Sequence, residues 1–201
     1  MSASSNGKAV ILMDGGYVEN VSDVAENHHG TEMDIEALSS KLVDEFDVDH
    51  VRTKFYHAYP YQDQDPSESQ QEYYAERKSF YDAIDRKDKH EFVPRGEVKK
   101  HPERCRECSH TWSNFSQKGV DVGIAVDLVH MAYQGGLDTI ILITGDGDLV
   151  HGIEAAKDAY VNVFVAYCED RSSQISYAED IVTEADRTIE LTPEYLSDCL
   201  R

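Results

Sequence analysis

Positive charge is scarce in this 201-residue chain: 19 Lys and Arg stand against 39 Asp and Glu, a formal net charge of −20 at pH 7. Such a surface repels polyanions, which excludes a protein that holds nucleic acid by overall basicity. Long apolar runs are lacking too. None approaches the roughly 18 residues needed to cross a bilayer, so no membrane partner is expected. Four cysteines, at 105, 108, 168 and 199, are too few and too scattered for a disulfide framework. The segment Met1–Lys8 has neither the charged nor the apolar region of a signal peptide. Residues 1–7 read as a short disordered lead-in, residues 8–201 as one domain, and the expected location is the cytoplasm.

Several catalytic signatures are also missing. No Gly-x-Gly-x-x-Gly follows a strand and no Walker A lysine loop occurs, which removes dinucleotide and P-loop folds. A haloacid-dehalogenase-type phosphatase wants a second Asp two residues after the first, and Gly16 occupies that place. His57, His130 and His151 fall in no legible Ser-His-Asp order.

What the chain does have is alternation. Ala9–Met13 is a short continuous apolar run, the mark of a buried parallel strand. Val51–Ala58, Phe92–Val98, Thr139–Thr144 and Val161–Tyr167 read as four more strands, the third weakened by Pro94 and Gly96. Helix-spaced apolar residues mark Asp34–Phe46, Gln70–Lys87, Gly119–Tyr133 and Leu149–Asp158, and Pro193 suits a helix start at Thr192. This order predicts an α/β, three-layer Rossmannoid fold around a mostly parallel sheet of about five strands. Ligands in such sheets sit at the carboxyl ends of the strands. Acids just past those ends are therefore the ones to follow.

Asp14 directly follows the first strand, in Met13-Asp14-Gly15-Gly16, and Asp146 and Asp148 follow the fourth, in Thr144-Gly145-Asp146-Gly147-Asp148. Asp121 opens the helix that begins after Lys118-Gly119. Carboxylates converging on one edge repel one another unless a hard divalent cation, Mg²⁺ or Mn²⁺, offsets their charge. Asp127 lies six positions beyond Asp121, about 240° round the helix at ~100° per residue. That places it beside the site at best, as a residue supporting the ligands.

Val10-Ile-Leu-Met-Asp14-Gly, Lys118-Gly-Val-Asp121-Val-Gly-Ile-Ala-Val-Asp127 and Asp138-Thr-Ile-Ile-Leu-Ile-Thr-Gly-Asp146-Gly-Asp148 together resemble the motifs of LabA-like NYN domains, a family within the PIN-like nuclease superfamily. The resemblance runs from about residue 8 to 190. It implies a PIN-like fold, a divalent metal and cleavage of RNA, with metal-binding acids at Asp14, Asp121, Asp146 and Asp148. Thr144 matches the small hydroxyl residue that precedes the Gly-Asp pair in that family. Two positions depart from the pattern: Tyr17 stands where many NYN domains have Asn, and Gly147 where Ser is frequent.

The few basic residues are clustered. Arg86 to Arg106 holds eight Lys and Arg against four acids, a net +4 inside a chain of −20. Within it, at about 99–117, lies an insertion in which His101, Cys105, Cys108 and His110 fall within ten residues. Cys-x-x-Cys is half of a common Zn²⁺ site; the two histidines, or a second copy of the chain in a homodimer, are the candidates for the other half. Arg104, Arg106 and Trp112 give the same insertion the means to clamp single-stranded nucleic acid, and Lys118 and Tyr17 are further candidates for substrate contact. The leading expectation is a metal-dependent ribonuclease, endonucleolytic on single-stranded or structured RNA. The alternative is a catalytically weak PIN-like module that binds RNA or protein as a regulator; a phosphatase acting on small phosphate esters is a third.

Overall fold

The structure, a computed structural model, describes residues 6–201; residues 1–5 of the expected lead-in lie outside the described residues. Asn6 and Gly7 are tied to the body, through Asp47 and through the backbone N–H of Asp49. In chain order the elements are β1 (Lys8–Asp14), α1 (Gly15–His29), α2 (Ile35–Phe46), β2 (Asp49–His57), α3 (Glu68–Asp85), β3 (His90–Pro94), β4 (Glu97–Arg104), β5 (Thr111–Lys118), α4 (Val120–Gln134), β6 (Thr139–Ile143), α5 (Val150–Asp158), β7 (Asn162–Tyr167), α6 (Glu179–Glu184), β8 (Arg187–Glu190) and α7 (Pro193–Leu196). Six strands form one sheet in the order β3-β2-β1-β6-β7-β8, every neighbour parallel, while β4 and β5 pair as a separate antiparallel hairpin.

Strand period and helix period together make the three layers. Ala9, Ile11 and Met13 of β1 point to one face, where α1 and α2 lay down Val18, Val21, Val24, Leu38 and Leu42. Val10 and Leu12 point to the other, against Ile124 and Leu128 of α4 and Ile153 of α5. All five residues of β6 are buried, as expected of a central parallel strand covered on both faces. Each isoleucine there contributes on the order of 1.5–3 kcal/mol by leaving water. Helix starts are set by side-chain caps: Asp34 accepts from Glu36 and Ala37 N–H, and Ser67 forms a capping box with Gln70.

The sheet has six strands rather than the expected five or so. The added one is β8, a four-residue edge strand with little burial. The expected strand Phe92–Val98 divides in two. Pro94 ends β3, where a missing N–H is tolerated because β3 is an edge, and Gly96, at φ 74°, turns the chain into the hairpin.

Chain direction across the sheet reverses between β1 and β6. From β1 the order runs outward through β2 to β3, and from β6 it runs the opposite way through β7 to β8. The crevice beyond the carboxyl ends of β1 and β6 is therefore the switch point where ligands of open α/β sheets bind.

Candidate functional site

Asp14 ends β1 and at the same time caps α1, its Oδ1 accepting from Gly16 N (3.1 Å) and Tyr17 N (3.4 Å). Strand can become helix this abruptly because of Gly15: a Cβ there would lie 2.6 Å from the carbonyl oxygen of Tyr56 and 2.7 Å from the Phe55 ring. The carboxyl is consequently pressed close to the sheet. Burial pushes its pKa up to about 6, against the pull of the Tyr17 N–H, and the charges of Asp121 and Asp146 push the same way.

Asp146 caps a single 3₁₀ turn, Gly147–Leu149, accepting from Asp148 N at 2.9 Å. Gly145 before it touches two other parts of the molecule; a Cβ there would sit 2.6 Å from both Ser176 O and Tyr17 Cε2. The ring of Tyr17 thus packs against the turn, and its hydroxyl donates to Cys168 O (3.0 Å) and accepts from Cys168 N (2.9 Å). One side chain bolts the start of α1 to the ends of β6 and β7. Tyr17, expected as a substrate contact, has its hydroxyl committed to this bolt. Thr144, also expected at the substrate, is buried, and its Oγ1 accepts from Asp146 N at 3.1 Å, shaping the turn from within. Gly147 has a local reason as well, because a Cβ at that position would come 3.0 Å from the Cβ of Ala178.

Asp121 lies in the first turn of α4, where the helix dipole favours negative charge. Its pKa is nevertheless raised, by burial first and then by the charges of Asp146 and Asp148, with Lys118 pulling weakly the other way. The fold therefore brings Asp14, Asp121, Asp146 and Asp148 into one electrostatic neighbourhood from three separate stretches of chain. No Lys, Arg or His forms an ion pair with any of the four among the described residues. A set of mutually repelling oxygen donors without a protein cation fits a hard divalent ion by its chemistry. Also among the described residues, no three His, Cys, Asp or Glu are drawn together tightly enough to hold a metal as they stand. The acids are neighbours that stop short of a coordination shell.

Asp127, expected beside the site as a support for the ligands, is held by other partners. The Tyr56 hydroxyl donates to its Oδ2 at 2.9 Å and Arg95 lies 3.6 Å from its Oδ1, so it ties β2 to the root of the hairpin. The expected zinc set is not assembled. Cys105 and Cys108 share the hairpin's turn, but His101 Nε2 bonds Ser116 Oγ (2.9 Å) and His110 stacks on Trp112, and no metal-holding group forms there. Sequence reasoning missed Gln117, whose Oε1 accepts from Ala58 N (3.4 Å) and whose Nε2 reaches the vicinity of Gly16, next to Asp14. It also missed α1 itself, which positions Asp14. The basic residues Arg104 and Arg106 stand at the far end of the hairpin, and Lys118 at its root beside Asp121.

The NYN domain profile matches residues 8–192 of the chain. No curated protein matches it. Among solved structures, the crystal structure of a protein of unknown function from Vibrio parahaemolyticus superposes with a TM-score of 0.54 at 21% identity, covering 100% of both chains. That likeness is one of fold. No helix among the described residues is long and apolar enough to cross a membrane.

Proposed function

The chain belongs to the NYN domain family, part of the PIN-like nuclease superfamily, and on that premise we propose that it is a divalent-metal-dependent ribonuclease of the LabA-like branch acting from the Asp14–Asp146 edge. One observation carries the reading: four carboxylates, from the ends of β1 and β6 and the start of α4, lie near one another without a protein cation, and in two of them burial first, then neighbouring carboxylates, raise the pKa. A cluster that repels itself in the bare protein is costly unless something positive binds there.

Asp14, Asp121, Asp146 and Asp148 are the residues that would hold Mg²⁺ or Mn²⁺. Bound there, the ion supplies a water of lowered pKa and offsets charge on the reacting phosphoryl group. The chain's own part is positioning. Asp14 is held by two N–H donors, Asp146 by its place at the head of the 3₁₀ turn, and both by the Tyr17 bolt. Lys118, whose charge reaches Asp121, is the residue assigned in this reading to a phosphate oxygen. No protein nucleophile is invoked. The expected setting is the cytoplasm and the expected substrate single-stranded or structured RNA, cut internally.

The loose spacing of the acids also supports a second reading, a PIN-like module that binds RNA or protein and cuts weakly or not at all. Incubating labelled single-stranded RNA with Mn²⁺ or with EDTA separates the two. Metal-dependent cleavage that vanishes in Asp146→Asn supports the nuclease. Binding by the folded protein without cleavage supports the module.

A further inference from the structure

Beside the acidic edge, between the start of α3 and the hairpin, runs a groove of about 360 Å³, the lower end of the size range of small-ligand sites. Its walls are aromatic. Tyr61 and Phe115 face each other with ring centroids 5.6 Å apart, and Tyr73 stands more than half exposed on the α3 side. Tyr61 is fixed in place: its hydroxyl donates to Asp63 (3.0 Å), which also accepts from Gln70 and Lys100. The platform is therefore built before any ligand arrives, which lowers the entropic cost of binding.

Two further facts say what the groove suits. Alternation along β4 puts Val98, Lys100, Pro102 and Arg104 on one face, the face whose Val98 and Phe115 line the groove. Arg104, roughly 13 Å from Lys100 by strand rise, forms no ion pair among the described residues, whereas Lys100 is matched by Asp63 and Arg77 by Glu19. An unmatched cation thus follows the aromatic platform in a protein that is otherwise strongly acidic. At its other end the groove reaches Ala58, whose N–H donates to Gln117, the side chain that also reaches Gly16 beside Asp14. Aromatic platform, then cation, and at the opposite end the carboxylates, is an order that fits a stretched single strand better than a folded ligand or a peptide side chain.

We propose that this groove receives an unstacked base of a single-stranded RNA whose backbone passes from the Asp14–Asp146 edge toward Arg104. The proposal rests on the reading of that edge as a phosphodiester site, and it adds a site for the neighbouring base. Stacking on Tyr61, Phe115 and Tyr73 tolerates any base, so the groove sets register along the strand rather than sequence.

The test measures binding in EDTA, where cleavage plays no part, by fluorescence anisotropy of a labelled ten-residue oligouridylate and of a fully abasic strand of equal length. Tyr73→Ala and Phe115→Ala should each weaken oligouridylate binding about tenfold and leave the abasic strand unchanged. Tyr73→Phe and Phe115→Tyr should bind as the wild type does. Wild-type affinity in both alanine variants, equal losses for the abasic strand, or no RNA binding by the wild type would overturn the proposal. So would perturbation of Tyr73 by an aromatic peptide and not by RNA, which assigns the groove to a protein. Failure here and failure of the nuclease reading are separable. Tyr73-dependent binding without metal-dependent cleavage removes hydrolysis and keeps the groove. Cleavage indifferent to Tyr73 and Phe115 removes the groove and keeps hydrolysis.

Discussion

Two aspartates cap two consecutive helices in this protein, with the same local geometry and opposite electrostatics. Asp34 caps α2 by accepting from Glu36 and Ala37 N–H, and Asp14 caps α1 by accepting from Gly16 and Tyr17 N–H. Burial acts against the ionised form of Asp34, but the N–H groups of Ala37 and Glu36 and the Lys87 ammonium, 3.3 Å away, outweigh it, and its pKa is lowered. Asp14 is given no ammonium. It is more deeply enclosed, it faces Asp121 and Asp146, and its pKa rises to about 6. Where folding alone decides, the chain supplies a counter-charge; at the sheet's switch point it withholds one. The difference makes Asp14, of the two caps, the candidate for a role beyond folding.

The largest expected effect separates the two caps by activity. Asp14→Asn keeps the capping oxygen and removes the charge, and should lower metal-dependent RNA cleavage by about a hundredfold or more, whereas Asp34→Asn should leave it within about twofold. Rates on a labelled oligonucleotide check both. Stability should move the opposite way. In EDTA at pH 7.5, Asp14→Asn should gain up to about 3 kcal/mol, the value of a shift from 3.8 to about 6, and Asp34→Asn, which keeps a capping oxygen but gives up the charge facing Lys87 and the helix N-terminus, should lose up to about 1 kcal/mol. Urea midpoints for the two variants would show the crossing; a loss in Asp14→Asn would make it an ordinary cap.

The pH dependence follows from the sign of the shift. A carboxyl whose pKa is raised in the fold favours the native state when protonated. Its contribution is whole below about 3.8 and is lost as pH rises through about 6. Asp34 has the reverse sign, contributing above its unfolded value and losing that contribution as pH falls through its lowered folded value. Metal-free wild type should therefore gain stability from Asp14 between pH 7 and pH 5, and Asp14→Asn should lack that gain in parallel titrations. A further, smaller effect than that of Asp14→Asn is expected at the bolt. Tyr17→Phe keeps the ring against Gly145 and leaves Cys168 N–H and C=O without a partner, which should cost roughly 1–2 kcal/mol. Cleavage should fall with it only modestly, by less than for Asp14→Asn.

Sequence pattern revealed the central strands because their burial is continuous. β1, β6 and β7 read as unbroken apolar runs, and the acids after β1 and β6 could be ranked by that alone. Helix α1 was hidden by its own start. Gly15-Gly16 reads as a turn, and the helix buries only Gly15, Val18, Val21, Val24 and Ala25, too narrow a stripe to stand out in a polar segment. The hairpin reads as an irregular insertion because neither face carries regular alternation of apolar and polar residues, and all of β4 and β5 is exposed or half-buried. β8, at four largely exposed residues, has no pattern to detect. Within the candidate site, the four aspartates were legible as candidates from their places just past strand ends and at a helix start. The roles of Tyr17 and Gln117 were not, because they depend on contacts with Cys168, 151 residues away, and with Ala58, 59 residues away.

The contrast between the caps is tested most directly by titrating Mn²⁺ into EDTA-treated protein while following its melting temperature, beside Asp34→Asn and an Asp14→Asn/Asp146→Asn double variant. A ligand that binds only the folded state raises stability by RT ln(1 + [L]/Kd), about 2.7 kcal/mol at one hundred times Kd. The account predicts a saturable rise for the wild type and for Asp34→Asn, and none for the double variant. An equal rise in all three proteins would mean that the metal binds elsewhere, and would contradict the assignment of the unpaired cluster as its site.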